Sequence, residues 1–245
     1  MTAPSDDAPV ILVADDVPAN VELLADQLHV LGYRTIAAED GPSAQLQSLH
    51  QALHEHILTG KYETTASDLR GTLSHGNFNC LSSLAIYLDL CDAAGLPLQI
   101  WLARGHVFLR AALDGEGVVI EPGRPQWVIA SSAARRQHLR QITPVELLAK
   151  FYYNRGVELL KERQFADGIA LIEASLQLDP ADRDARANLV AGLNNWAVEY
   201  LTTGRYSDAA TLIEQGLLLD PSFVPLIANE QLIRAKARNR AVNGE

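Results

Sequence analysis

Three side chains in the middle of the chain are suited to acyl chemistry: the thiol of Cys80, the imidazole of His106 and the carboxylate of Glu121. A thiolate attacks a carbonyl carbon, an imidazole takes and returns the proton, and a carboxylate fixes the imidazole's tautomer and orientation. Cys80 follows a polar stretch, His75 to Asn79, and opens an apolar run from Leu81 to Ala94 that Gly95-Leu96-Pro97 closes. That pattern predicts a buried helix with the thiol in its first turn. There the aligned peptide dipoles present their positive end, which favours the nucleophilic thiolate. For the oxyanion of a tetrahedral intermediate, the sequence offers the backbone N–H of Cys80, with Asn77 and Asn79 as side-chain candidates.

Short strands must position the other two residues. LQIWLA (98–103), GHVFLRAAL (105–113) and VVIEPG (118–123) read as three strands, the last two a hairpin around the DGEG stretch. A turn centred on Asp114-Gly115 puts Glu121 opposite Phe108 and diagonal to His106 on the same face. That diagonal is roughly 7–8 Å, within reach of a long carboxylate. A slip of one residue would send the two to opposite faces.

The order of a helix-opening Cys, a Gly-His at the start of a strand and an acid at the end of the next strand resembles the core of the transglutaminase-like, papain-related superfamily. In particular the chain resembles bacterial transglutaminase-like proteins with a tetratricopeptide tail. The resemblance covers about residues 45–145 and implies a papain-like fold, with Cys80 as nucleophile, His106 as base and Glu121 as orienting acid. Many relatives carry Asp where this chain has Glu121, whose extra methylene loosens the orientation. Hydrolysis, crosslinking and deamidation share the thiol–imidazole step and stay open, as does the acyl donor.

Residues 10–40 read as a βαβ unit. An apolar run ends in Asp15-Asp16, Pro18 starts a helix with Val21, Leu24, Leu28 and Leu31 on one face, and Arg34 to Ala38 form a second strand. This resembles the start of a response-regulator receiver domain, whose acidic pair holds Mg²⁺. Asp15 and Asp16 are thus weak metal candidates. Where a receiver would carry its phosphoacceptor, this chain has Leu53-His54-Glu55-His56 in a helical stretch. Residues 1–44 are therefore read as a receiver-like remnant. His50 and His54 share the i,i+4 spacing of a zinc helix, but no third ligand accompanies them. With His56 they read as surface histidines, and Ser67 reads as the cap of a short following helix.

After Ile142, Thr143-Pro144 reads as an N-cap followed by proline at the first helical position, which puts a domain boundary near 145. Beyond it the chain repeats. YYNRGVELLKERQFADGIALIEASLQLDP (152–180) aligns with LNNWAVEYLTTGRYSDAATLIEQGLLLDP (193–221), matching Asn154 with Asn195 and Phe165 with Tyr206. Small residues recur at helix-crossing positions: Gly156/Ala197, Gly168/Ala209 and Ser175/Gly216. The pattern resembles tetratricopeptide helix pairs, with extra residues between the repeats that lengthen a helix. Two repeats need covering at both ends, and residues 223–238 read as a capping helix. The resemblance implies that Asn154 and Asn195 face a peptide-binding groove; bonds to neighbouring helices are the alternative.

The chain has 245 residues, 48% of them hydrophobic and 20% charged, with a net charge of −10. Its pI near 5.1 argues against a nucleic-acid surface or an anionic membrane as partner. Cys80 and Cys91 on one helix would be about 16 Å apart, too far for a disulfide, which fits a reducing compartment. No apolar run is long enough to span a membrane, and the start MTAPSDDAP lacks a signal peptide's pattern, so a cytoplasmic location is expected. The expected class is α+β: residues 1–44 a βαβ lead, 45–145 a transglutaminase-like domain, 146–245 tetratricopeptide repeats. The expected function is thiol acyl chemistry on protein or peptide amides without a cofactor, the repeats binding protein. The alternative is a non-catalytic adaptor, with a link to two-component partners. Oligomeric state stays open.

Overall fold

The computed structural model describes residues 10–14, 34–38, 41–103, 105–113, 116–127, 130–131 and 139–243. The chain divides into two compact units, Met1–Thr143 and Pro144–Glu245. The first mixes helices and strands, and the described residues of the second are helical beyond Pro144.

In the first unit, β1 (Val10–Ala14) and β2 (Arg34–Ala38) pair in parallel, Val10 against Arg34. Parallel neighbours need a crossover between them. The helix expected in that crossover lies outside the described residues, and so do Asp15 and Asp16.

Helix α1 (Pro42–His56) carries proline in its first turn and buries Leu46, Leu49, His50, Ala52 and Leu53. His50 is therefore not a surface histidine, and the reason is periodicity. Positions 46, 49, 50 and 53 form one helical stripe, so His50 enters the core with the three leucines. Helix α2 (Leu69–His75) is capped by Asp68, whose carboxylate accepts from the N–H groups of Arg70 and Gly71. Ser67 does not cap it; its buried hydroxyl accepts from the Asn79 amide at 2.8 Å.

Helix α3 (Cys80–Ala93) begins at the expected residue. Asn79 and Ser82 form a reciprocal capping box at its start, and Leu81, Leu84, Tyr87 and Cys91 are buried along it. The Tyr87 hydroxyl donates to the Leu46 carbonyl at 2.6 Å, tying α3 to α1. Both cysteines are free. Cys91 is fully buried, and burial pushes its thiol up to about 12, which leaves it inert at neutral pH.

A sheet ordered β6-β5-β4-β3-β7 completes the unit. Its strands are β3 (Gln99–Ala103), β4 (His106–Leu113), β5 (Glu116–Ile120), β6 (Ala130–Ser131) and β7 (Arg140–Ile142), all antiparallel to their neighbours. Leu109 pairs with Ile120 and Leu113 with Glu116, the register of a two-residue hairpin turn. Phe108, Leu109 and Ile120 are 0%, 0% and 1% exposed. Each such side chain contributes ~1.5–3 kcal/mol by leaving water, so a shifted register would be costly.

In the second unit, α4 (Pro144–Lys161) and α5 (Phe165–Leu178) form one helix pair. α6 (Arg183–Thr202) and α7 (Tyr206–Leu219) form the next, and α8 (Val224–Asn243) follows. Both second helices open on the aligned aromatics, Phe165 and Tyr206. Residues 183–192, most of the extra stretch between the repeats, lie within α6, which has 20 residues against 18 in its counterpart α4. At the α4–α5 crossing the glycines do structural work. A Cβ on Gly156 would meet the Gly168 carbonyl at 2.8 Å, and one on Gly168 would meet the Gly156 carbonyl at 2.9 Å. Ile172, Val190, Leu193, Ile213 and Leu226 lie in the core cluster of the unit.

Candidate active site

Cys80 is the first residue of α3, and its placement follows from the loop before it. Phe78 bridges to Tyr62, with the Glu63 N–H donating to the Phe78 carbonyl at 2.8 Å and the Phe78 N–H to the Lys61 carbonyl at 3.1 Å. This short pairing holds the loop, the Asn79 cap turns the chain into the helix, and Cys80 follows with its N–H in the unpaired first turn.

His106 opens β4, and Glu121 immediately follows β5. With Leu109 opposite Ile120, the residue facing Glu121 is Phe108, so Glu121 and His106 lie diagonally on one face. His106 Nε2 and Glu121 Oε2 are 2.7 Å apart. The carboxylate can only accept, so Nε2 carries the proton and donates it. The ring stacks 6.3 Å from the Phe108 ring, which fixes its plane. Because Glu121 takes Nε2, Nδ1 is left to face the thiol, with which His106 also shares a hydrogen bond.

The electrostatics follow from these contacts. Burial pushes the Cys80 thiol up, but the hydrogen bond and charge of His106, and a hydrogen bond from the Tyr62 hydroxyl, outweigh it and hold the thiol below its ordinary value. The His106 imidazole is raised to about 9 by its hydrogen bonds to Cys80 and Glu121, against a burial penalty. The two shifts are those of a thiolate–imidazolium pair. Burial, and the nearby Cys80 charge and hydrogen bond, push the Tyr62 phenol up, so it stays protonated and donates.

The pair sits in a cleft of about 190 Å³ lined by Tyr62, Cys80, His106, Val107, Glu121 and Pro122 to Arg124. A Cβ on Gly123 would lie 3.1 Å from Ser83 Oγ and 3.7 Å from Cys80 Cα. The bare glycine thus keeps the wall next to the thiol open.

Of the residues singled out from sequence, Cys80, His106 and Glu121 come together, while the two asparagines do other work. The Asn79 side chain is consumed by capping: Oδ1 accepts from the N–H groups of Leu81 and Ser82, and Nδ2 donates to the Thr64 carbonyl and Ser67 Oγ. Asn77 accepts from the Lys61 N–H at 2.9 Å and points its amide toward Glu63, away from the residues that line the cleft. Neither is placed to hold an oxyanion. The side chain whose hydroxyl does reach Cys80 is Tyr62, and no motif marked it: the Phe78 bridge brings it there. In the second unit Asn154 is half-buried on α4 while Asn195 is exposed on α6, so the two aligned asparagines have different surroundings.

His50 Nε2 meets the Arg124 carbonyl at 2.7 Å, and His54 Nε2 meets the Pro122 carbonyl at 2.9 Å. Both histidines thus hold the turn that follows Glu121. Among the described residues no group of three His, Cys, Asp or Glu side chains is placed to hold a metal ion, and no helix is long and apolar enough to cross a membrane. No family model matches the chain, and no curated protein matches it.

Proposed function

We propose that the first unit is a cysteine-dependent acyl-transfer or hydrolase domain of transglutaminase-like, papain-related type, acting on protein or peptide amides. The observation that carries this reading is the shared His106, hydrogen-bonded to the Glu121 carboxylate on Nε2 and to the Cys80 thiol on its other side. In the reaction, the Cys80 thiolate attacks the amide carbonyl carbon, a C–S bond forms, and the carbonyl π electrons move onto oxygen. The oxyanion collapses as the C–N bond breaks, and His106 delivers its proton to the leaving amine. Water or a second amine then attacks the thioester, its proton passes to His106, and the thiolate leaves.

The developing oxyanion needs donors. The Cys80 N–H donates to the Tyr62 hydroxyl, and that hydroxyl donates to the thiolate. An incoming carbonyl oxygen finds both donors at one place. Tyr62 is 52% exposed at the cleft mouth, so the phenol has room to turn from sulfur to oxyanion. The second unit, read as tetratricopeptide-like from its repeat, is proposed to bind a protein or peptide.

The test is Cys80 alkylation by iodoacetamide against pH in Cys91→Ala protein, with and without His106→Ala. Modification that is fast at pH 6 and at least tenfold slower without His106 supports the thiolate–imidazolium pair. A thiol that reacts only above about pH 8.5 sinks the enzyme reading and leaves a non-catalytic adaptor.

A further inference from the structure

We infer that His54 and His50 are positioning residues, whose imidazole N–H groups hold the turn after Glu121 and so fix the acid and the cleft wall against the helix that carries Cys80. The inference rests on the proposed thiol chemistry for its purpose, though not for its geometry.

The turn reads Glu121-Pro122-Gly123-Arg124-Pro125, and two of its residues are prolines without an N–H. Its carbonyls therefore need donors from elsewhere, and its internal bond is from the Arg124 N–H to the Glu121 carbonyl at 3.0 Å. α1 supplies the donors: His54 to the Pro122 carbonyl and His50 to the Arg124 carbonyl. Since a carbonyl only accepts, each ring must carry its proton on Nε2.

Each imidazole is also seated on a second element. The His54 ring meets Phe78, the bridge partner of Tyr62, edge-on at 5.8 Å. The His50 ring meets Tyr87 of α3 at 5.9 Å and Trp127 at 5.3 Å, and is 2% exposed. Tyr87 in turn donates to Leu46 of α1. One helix thus braces the nucleophile's helix, the loop that carries Tyr62 and the turn that carries Glu121. These are three chain segments far apart in sequence whose relative placement the His106 contacts require.

The experiment compares His54→Leu, which fills the space without a donor, with His54→Gln, whose amide N–H can still reach a carbonyl. It reads the His106 titration by NMR and Cys80 alkylation at pH 6, both in Cys91→Ala protein. In His54→Leu the His106 midpoint should fall toward the ordinary histidine range and alkylation slow about tenfold, one pKa unit being a factor of ten. His54→Gln should restore most of both. Equal His106 midpoints in the two folded variants overturn the inference. If His54→Leu fails to fold, His54→Gln decides: a His106 midpoint that falls although the amide donor is kept overturns the inference. A parent without the low-pH alkylation phase removes the thiol chemistry but leaves the His106 midpoints to judge the brace.

Discussion

In the helical unit, Gly156 and Gly168 press backbone against backbone, and the residues between them recur in the next helix pair. In the α+β unit, Tyr62, Cys80, His106 and Glu121 come from a loop, a helix start and two strand ends, and nothing in their surroundings repeats. One unit builds a surface by copying a packing solution. The other builds a constellation out of polar contacts that each occur once. A repeat can spread a perturbation over many equivalent contacts, whereas a constellation loses its chemistry when one bond moves.

The largest separation of the two should come from Gly156→Val. Its Cβ would meet Ile172 Cγ1 at 2.7 Å and the Gly168 carbonyl at 2.8 Å, and backbone cannot step aside as a flexible side chain can. The expected cost is about 2–4 kcal/mol, read as earlier urea unfolding of the helical unit. The Cys80 alkylation profile should not change. A coupled loss of both would show that the units do not behave independently.

Glu121→Gln should give the converse. The amide keeps a hydrogen-bond acceptor for His106 Nε2 but removes the charge that helps raise the imidazole to about 9. The imidazolium is then less favoured, the thiol climbs, and alkylation at pH 6 should slow about tenfold while helical-unit stability stays put. The sign for stability follows from the same shift. A histidine raised from 6.5 to about 9 contributes stability that is complete below 6.5 and is lost as pH rises through about 9. In Glu121→Gln the contribution is smaller, and its alkaline decline, which still begins near 6.5, should end at lower pH, visible in thermal melts of the first unit.

Gly123→Ala is a smaller probe of the same wall. Its methyl would stand 3.1 Å from Ser83 Oγ, a contact that a shift of about a few tenths of an ångström relieves, and 3.7 Å from Cys80 Cα and a Tyr62 ring carbon. Stability should change by less than about 1 kcal/mol, while bulky alkylating agents should lose several-fold more rate than iodoacetamide. Equal slowing of large and small reagents would remove Gly123 from the cleft wall.

How much of this was legible in the sequence follows the same division. Helix periodicity, the repeated Leu-Asp-Pro and the small residues showed the helix pairs, because those signals are local and occur twice. The start of α3 at Cys80 and the hairpin register were legible because turn residues and alternation fix them within a few positions. Tyr62 was not, because its approach depends on a single bridge to Phe78. Asn79 misled because a polar side chain before a helix can serve either a cap or a ligand, and the two unpaired N–H groups of the helix claimed it first. His50 misled through its residue type: the leucine stripe around it points inward, and its burial becomes tolerable once the prolines of a distant turn leave a carbonyl in need of a donor.

The weakest expected effect is the acid limb set by His50. Burial, and then the neighbouring His54, lower its imidazole from 6.5 to about 4, against hydrogen bonds to the Arg124 and Pro125 carbonyls that favour the cation. Tyr87 and Trp127 pack on the same ring, and Glu55 lines the cavity of about 340 Å³ beside it. A histidine whose folded value is depressed binds its proton more readily when unfolded. The folded unit therefore gains stability as pH rises from about 4 to 6.5 and loses it again on acidification through that window. Carboxylates titrate at the lower end of the same range, so the informative quantity is a difference between proteins. His50→Gln keeps an amide donor and cannot protonate, and its melting temperature should fall a few degrees less than the parent's between pH 6.5 and 4.5. Parallel melting curves for the two proteins would mean that His50 accepts its proton in place, and that the brace survives as a cation.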